Sequence, residues 1–193
     1  GRRAGAAAGA RSIVIFAENE RQEAHYLRSP DKGGYGVDAM WNDDFHHAAR
    51  VAATGHAEAY YAATKGSAQE LVSAIKWGFL YQGQHFAFTK SKRGHPALDL
   101  PGPAMTTFLQ NHDQVSNTID GRRIHQLTSP GIHRALTALY LLGPGTPLIF
   151  MGEEFASTAP FLYFADHEPD LAPLVEKGRR EFMQQFPSAK DPA

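Results

Sequence analysis

TTFLQNHDQVSN, residues Thr106 to Asn117, sets a short apolar run directly against five consecutive polar residues, Gln110 to Gln114. A continuous apolar run bounded by turn signals suits a strand covered on both faces, as in a parallel sheet. Polar side chains crowded at the end of such a strand are expensive to desolvate unless they have partners or a purpose. The fold follows from how often this arrangement recurs.

It recurs at four places. Ser12 to Ala17 (SIVIFA) is followed by Glu18, and Val37 to Trp41 (VDAMW) by Asn42, Asp43 and Asp44. Thr106 to Leu109 (TTFL) leads to His112 and Asp113, and Thr146 to Met151 (TPLIFM) to Glu153 and Glu154. Between these runs lie helical patterns. Asn19 to Arg28 opens with Asn19 and Gln22 at capping-box spacing, and Asp44 to Thr54 stops at Gly55. Ser67 to Phe79 has Ser67 and Glu70 as a second capping box, with Leu71, Ile75 and Phe79 on one face. Pro130 to Leu142 carries Ile132, Leu136, Leu139 and Tyr140 on one face. Strand and helix alternate, which predicts right-handed crossovers and a parallel sheet. Acids at the C-terminal end of every strand fit a (β/α) barrel, whose loops there converge over one mouth. A closed barrel has eight strands, so four predict one half of it, with two exposed edges.

Composition narrows the function. The 193 residues hold 19 Lys and Arg against 20 Asp and Glu, a formal net charge of −1, which offers no footprint for nucleic acid or an anionic membrane. The absence of cysteine excludes disulfides, a thiol nucleophile and thiolate zinc sites. GRRAGAAAGARS at the start has a signal peptide's charges without its apolar core and reads as a disordered leader over residues 1–11. No run approaches the ~18 apolar residues of a membrane span, and a cytoplasmic location is expected. The half-barrel is expected over residues 12–160, with 161–193 as a post-barrel segment that leads to a further domain.

The carboxylates point to glycosidic-bond chemistry. Hydrolysis with retention needs one carboxyl as acid and then base, and a second as nucleophile about 5–5.5 Å away, while a third can face the positive charge that develops on the sugar ring. Glu18 and Asp113 can supply two of these three. The plain alternatives are a helix-dipole charge for Glu18 and an Asx-turn or cap for Asp113. NDDFHH, Asn42 to His47, offers three readings: a metal site of Asp43, Asp44, His46 and His47, a set of hydrogen bonds to sugar hydroxyls, or a helix cap with surface histidines. The cap is preferred over the metal, because neighbouring ligands on a helix converge poorly. Trp41, Tyr60, Tyr61 and Phe164 can stack on sugars or belong to the core. Glu153 and Glu154 can coordinate a cation, cap a helix or be solvated, and the solvated reading is the default.

With those residues placed, the chain resembles the second half of an α-amylase-type glycoside hydrolase barrel. FLQNHDQVSN is similar to that superfamily's fourth signature and FAENERQEA, Phe16 to Ala24, to its third. YGVDAMWNDDFHHA, the NHDQV core, TPLIFMGEEF, PFLYFADH and GRREFMQQF resemble, in this order, motifs of the malto-oligosyltrehalose trehalohydrolase family. The resemblance implies strands five to eight of a (β/α)8 TIM barrel, with Glu18 as proton donor and Asp113 as transition-state carboxylate. It implies substrate binding by His112, Gln114, Asn117, Asn42, Asp43, Asp44 and His46, and no metal or organic cofactor. The implied substrate is a malto-oligosaccharide ending in trehalose, made by a malto-oligosyltrehalose synthase and cut at the α-1,4 bond that releases trehalose. The family usually has Gly at Ser116 and an acid at Asn19. Its nucleophile is an Asp on the fourth strand, which this chain is expected to lack, together with the β-sandwich domain after the barrel; alone it is expected to be inactive. A glycogen-branching enzyme or another amylase-type fragment, and a non-catalytic carbohydrate-binding half-barrel, are the alternatives.

Overall fold

Each of the four apolar runs supplies a short parallel strand. The computed structural model describes residues 2–189. Along the chain lie α1 (Arg2–Ala8), β1 (Phe16–Ala17), β2 (Ala39–Trp41), α2 (Asp43–Thr54), α3 (Ala68–Trp77), β3 (His85–Phe86), β4 (Ser91–Lys92) and β5 (Met105–Thr107). Then follow α4 (His112–Ser116), α5 (Pro130–Leu142), β6 (Thr146–Pro147) and α6 (Ala172–Met183). The main sheet has the order β1-β2-β5-β6, every neighbouring pair parallel, with Ala17 opposite Met40, Trp41 opposite Thr106 and Thr107 opposite Pro147. Pro147 has no N–H to give, and β6 ends there. β3 and β4 form a separate antiparallel hairpin that the apolar pattern did not announce.

Two helices form as their sequence signals require. α2 begins at Asn42, whose Oδ1 accepts from the Phe45 N–H at 3.0 Å, and ends at left-handed Gly55. α3 has the full Ser67/Glu70 capping box. The alanines of α2 let it lie close to α3, and Phe45, Ala48, Ala49, Leu71, Ala74 and Leu109 close into one core with Leu136 and Tyr140 of α5. A second core gathers Met40 with Ala24, Phe79, Ala97 and Met105. On α5 the buried face is Leu136 and Tyr140, while Ile132 stays exposed.

Two expectations change. Residues 19–28 do not form the expected helix; only a single tight turn, Ala24–Tyr26, appears. Gln22 is the reason: its backbone is left-handed at φ 55°, and its fully buried amide donates to the carbonyls of Asn19 (2.9 Å) and Trp41 (3.0 Å). A left-handed residue cannot continue a right-handed helix. The leader is not wholly without order, because its alanines, the best helix formers, make α1. After β6, α6 and the residues before it fold back over the sheet's C-terminal end, where Tyr163 reaches Asp113, Arg179 reaches Asn117, and Phe186 packs with Val51 and Tyr61.

Beside the outer strands β1 and β6, Ile13, Val14, Phe16, Ile149 and Met151 stand exposed. Among the described residues, no helix is long and apolar enough to cross a membrane.

Candidate active site

The C-terminal ends of β1, β2 and β5 deliver their polar residues to one cavity of about 280 Å³, lined by Glu18, Asp43, Asp113, Gln114 and Asn117. Glu20 and His47 complete its polar wall, and Tyr60, Phe88 and Phe182 form an aromatic one. Five residues expected to act on substrate are therefore brought together from segments far apart in sequence.

α4 explains how Asp113 is presented. Asn111 caps it, its Oδ1 accepting from the Asp113 N–H at 2.8 Å while Gln114 Oε1 accepts from the Asn111 N–H at 3.0 Å. Gln110 is buried beneath, and its Oε1 accepts from the Ile124 N–H at 2.9 Å. The polar cluster thus divides its labour: Gln110, Asn111 and the Gln114 oxygen fasten the turn, leaving His112 and Asp113 at the mouth. His112 Nε2 lies 3.5 Å from Asp113 Oδ1, and its ring stands edge-on to Trp41 and Tyr163.

The acids differ in their environment. Glu18 holds its proton more tightly than an ordinary glutamate, first because partial burial disfavours its charge and next because Asp113 lies near; His112 acts in the opposite direction. Burial pushes the Asp43 carboxyl up to about 7, with Arg93 opposing and Asp44, Glu18 and Glu20 adding to the rise. His47 is buried and held neutral by desolvation, with Arg93 and His46 adding to the effect.

Three of the expected substrate ligands are not available. Asn42 is fully buried, and its amide donates to the carbonyls of Ala74 (3.2 Å) and Gly78 (2.6 Å), tying α2 to the end of α3. Asp44 is fully buried too: Oδ1 pairs with Arg93 Nε at 2.8 Å, and Oδ2 accepts from the Tyr81 N–H at 2.9 Å. His46 places Nδ1 2.8 Å from the Leu109 carbonyl and Nε2 3.0 Å from the Tyr61 hydroxyl. Their bonding capacity is spent inside the protein, so the sugar-contact and metal readings of NDDFHH both fail for Asp44 and His46. Among the described residues no group of three or more His, Cys, Asp or Glu is placed to hold a metal ion.

Of the aromatic candidates, Tyr60 lines the cavity, Tyr61 is core, Trp41 packs against Phe108 and Phe164 is 93% exposed. Glu153 is not solvated: Oε1 accepts from the Tyr140 hydroxyl and Oε2 from the Phe150 N–H, both at 3.2 Å, binding α5 to the loop after β6. Glu154 is exposed, as expected.

Several contributors escaped sequence reasoning. Arg93, between a lysine pair and a glycine in KSKRG, looks like a surface charge, yet it is 2% exposed and its Nη1 also reaches the Glu20 carbonyl. The Tyr163 hydroxyl donates to Asp113 Oδ1, and Arg179 of α6 donates to Asn117 Oδ1 at 2.7 Å. Only their places in PFLYFADH and GRREFMQQF marked these residues at all.

No protein-family model matches the chain. It is 42% identical over 147 residues to a malto-oligosyltrehalose trehalohydrolase of Deinococcus radiodurans, covering 75% of this chain and 24% of that enzyme. It is 38% identical over 168 residues to one of Saccharolobus solfataricus, covering 86% of this chain and 30% of that one. A solved structure from Salmonella typhimurium, described as an α-amylase, superposes with a TM-score of 0.79 at 37% identity, covering 94% of this chain and 32% of that one. The chain therefore spans about a quarter to a third of the length of the relatives it matches. Over that length, with its parallel sheet and its acids gathered at one end, the chain belongs to the malto-oligosyltrehalose trehalohydrolase family of α-amylase-type glycoside hydrolases.

Proposed function

We propose that this chain supplies the proton donor and the transition-state carboxylate of a retaining glycoside hydrolase. Its substrate is malto-oligosyltrehalose, cut at the α-1,4 bond next to the terminal trehalose. The observation that carries the reading is that Glu18 and Asp113 share one cavity in which Glu18 is held toward its protonated form by burial and by its neighbour's charge. A general acid must keep its proton until the leaving oxygen needs it, which is what such an environment provides.

In this mechanism Glu18 gives its proton to the glycosidic oxygen, and as a carboxylate it then takes one from the water that completes hydrolysis. Asp113 faces the ring as positive charge develops on it, with His112 beside it to hold a sugar hydroxyl. Asp43, Gln114 and Asn117 contribute hydrogen bonds, and Tyr60, Phe88 and Phe182 an apolar face for the pyranose ring. The resemblance assigns the nucleophile to a strand preceding β1, and no described residue is proposed for it, so the 193-residue chain by itself is inactive in this reading. The half of the barrel represented is strands five to eight. A synthase that builds the terminal trehalose unit precedes this enzyme in use.

The test is made in an enzyme of full family length carrying this segment. Glu18→Gln is expected to lower kcat by about a thousandfold or more while substrate binding by calorimetry stays close to that of the parent. Full turnover in that variant removes Glu18 from the mechanism. Product analysis separates the branching reading, which yields new α-1,6 linkages and no trehalose.

A further inference from the structure

We propose that Tyr163 and Arg179 are positioning residues that set the Asp113 carboxylate for the reaction, reaching back from beyond the last strand. The inference rests on Asp113 acting as described above. α4 has only five residues, too few to be stable alone, and its capping box fixes the Asp113 backbone but not its carboxylate, so what sets the carboxylate has to come from elsewhere in the chain. Two grips do so. At its start the Tyr163 hydroxyl donates to Asp113 Oδ1. At its end Arg179 donates from Nη1 to Asn117 Oδ1 at 2.7 Å and from Nη2 to the Ser116 carbonyl at 3.4 Å.

The grips are one unit, because the Arg179 guanidinium carbon lies 5.0 Å from the centre of the Tyr163 ring. Burial, and next the bond to Asp113, hold the tyrosine proton in place, with Arg179 opposing, so Tyr163 remains a donor. Asp113 Oδ1 takes that bond and faces His112 Nε2, while among the described residues nothing donates to Oδ2. The clamp therefore assigns the two oxygens different duties: Oδ1 is anchored to the protein and Oδ2 is turned to the sugar. A lysine could not replace Arg179, since the arrangement uses a planar fork and a stack at once.

The experiment uses an enzyme of full family length carrying this segment, with malto-oligosyltrehalose as substrate and trehalose release as signal. Tyr163→Phe keeps the ring under Arg179 and removes the hydroxyl alone. Its kcat is expected to fall about tenfold or more with KM within about twofold, because the carboxylate loses its setting while the sugar keeps its binding groups. Arg179→Lys is expected to show the same split, and the double variant to be little worse than the more damaging single, since both act through one carboxylate. If Tyr163→Phe does not fold by circular dichroism, the kcat and KM of Arg179→Lys decide alone. Parental kcat in the folded variants, or a loss confined to KM, overturns the clamp. Asp113→Asn separates the two ideas. If it still releases trehalose, the role of Asp113 itself is wrong; if it is inactive while the other variants are parental, only the clamp falls.

Discussion

Asp43 is the residue with the largest consequence for pH. Its carboxyl has an ordinary value of 3.8 and is pushed up to about 7 in the folded chain, chiefly by burial. Between those values the folded state holds a proton that the unfolded state has lost, so stability is greatest below about pH 4 on this account and falls as pH rises toward about 7. Asp43→Asn removes the charge and should flatten that fall, by at most about 4 kcal/mol between pH 4 and 7. Urea denaturation of parent and variant across this range checks it, and parallel profiles would show that Asp43 titrates normally. Residues of this kind were only partly legible in the sequence. Glu18, Asp43 and Asp113 were found because an acid after an apolar run is costly to place without a reason. Asn42, Asp44 and His46 share that position but spend their bonds on Ala74, Arg93 and Leu109, partners brought up from as many as 63 residues away, which residue type does not reveal.

Elements were legible where their signals are local. The Ser67/Glu70 box starts α3, and Gly55 stops α2, because both act within one helical turn. The failed helix at 19–28 shows the limit: its capping residues are present, but a buried tertiary bond from Gln22 to Trp41 outweighs them. The hairpin β3–β4 was hidden for a similar reason, since its strands have two residues each and its anchors are the single buried ring of Phe86 and the ion pair of Arg93 with Asp44, 49 residues away. Gly94 lets it close down, being left-handed and so near the Tyr81 carbonyl that a Cβ would sit 1.7 Å from that oxygen. Arg93→Met should therefore cost about 3–5 kcal/mol, because it leaves the Asp44 carboxylate buried without its counter-ion. The denaturation midpoint measures this, and a change below about 1 kcal/mol would place the hairpin's stability elsewhere.

At the scale of the whole molecule, the strand order and the end of the sheet that bears the site could both be read from four acid-bearing runs. The return of the segment after β6 could not, because Tyr163, Arg179 and Phe182 act across distances in sequence that no periodicity encodes. The two outer strands remain unpaired on one side among the described residues, with Val14 61% and Met151 65% exposed beside them. Unpaired edges next to apolar side chains invite pairing with other chains, so the 193-residue chain is expected to self-associate in sedimentation experiments as its concentration rises. Val14→Lys with Met151→Lys should shift it toward the monomer, whereas a monomeric parent across the whole series would refute the expectation. One interior contact also gives the fold a signal of its own. The Leu109 carbonyl can only accept, so the proton of neutral His46 must reside on Nδ1, with Nε2 receiving the Tyr61 hydroxyl. That imidazole proton is sealed from water as long as α2 stays docked against the strand end preceding Asn111. Its exchange with deuterium, followed by nuclear magnetic resonance, is thus a clock for how often the mouth of the sheet comes apart.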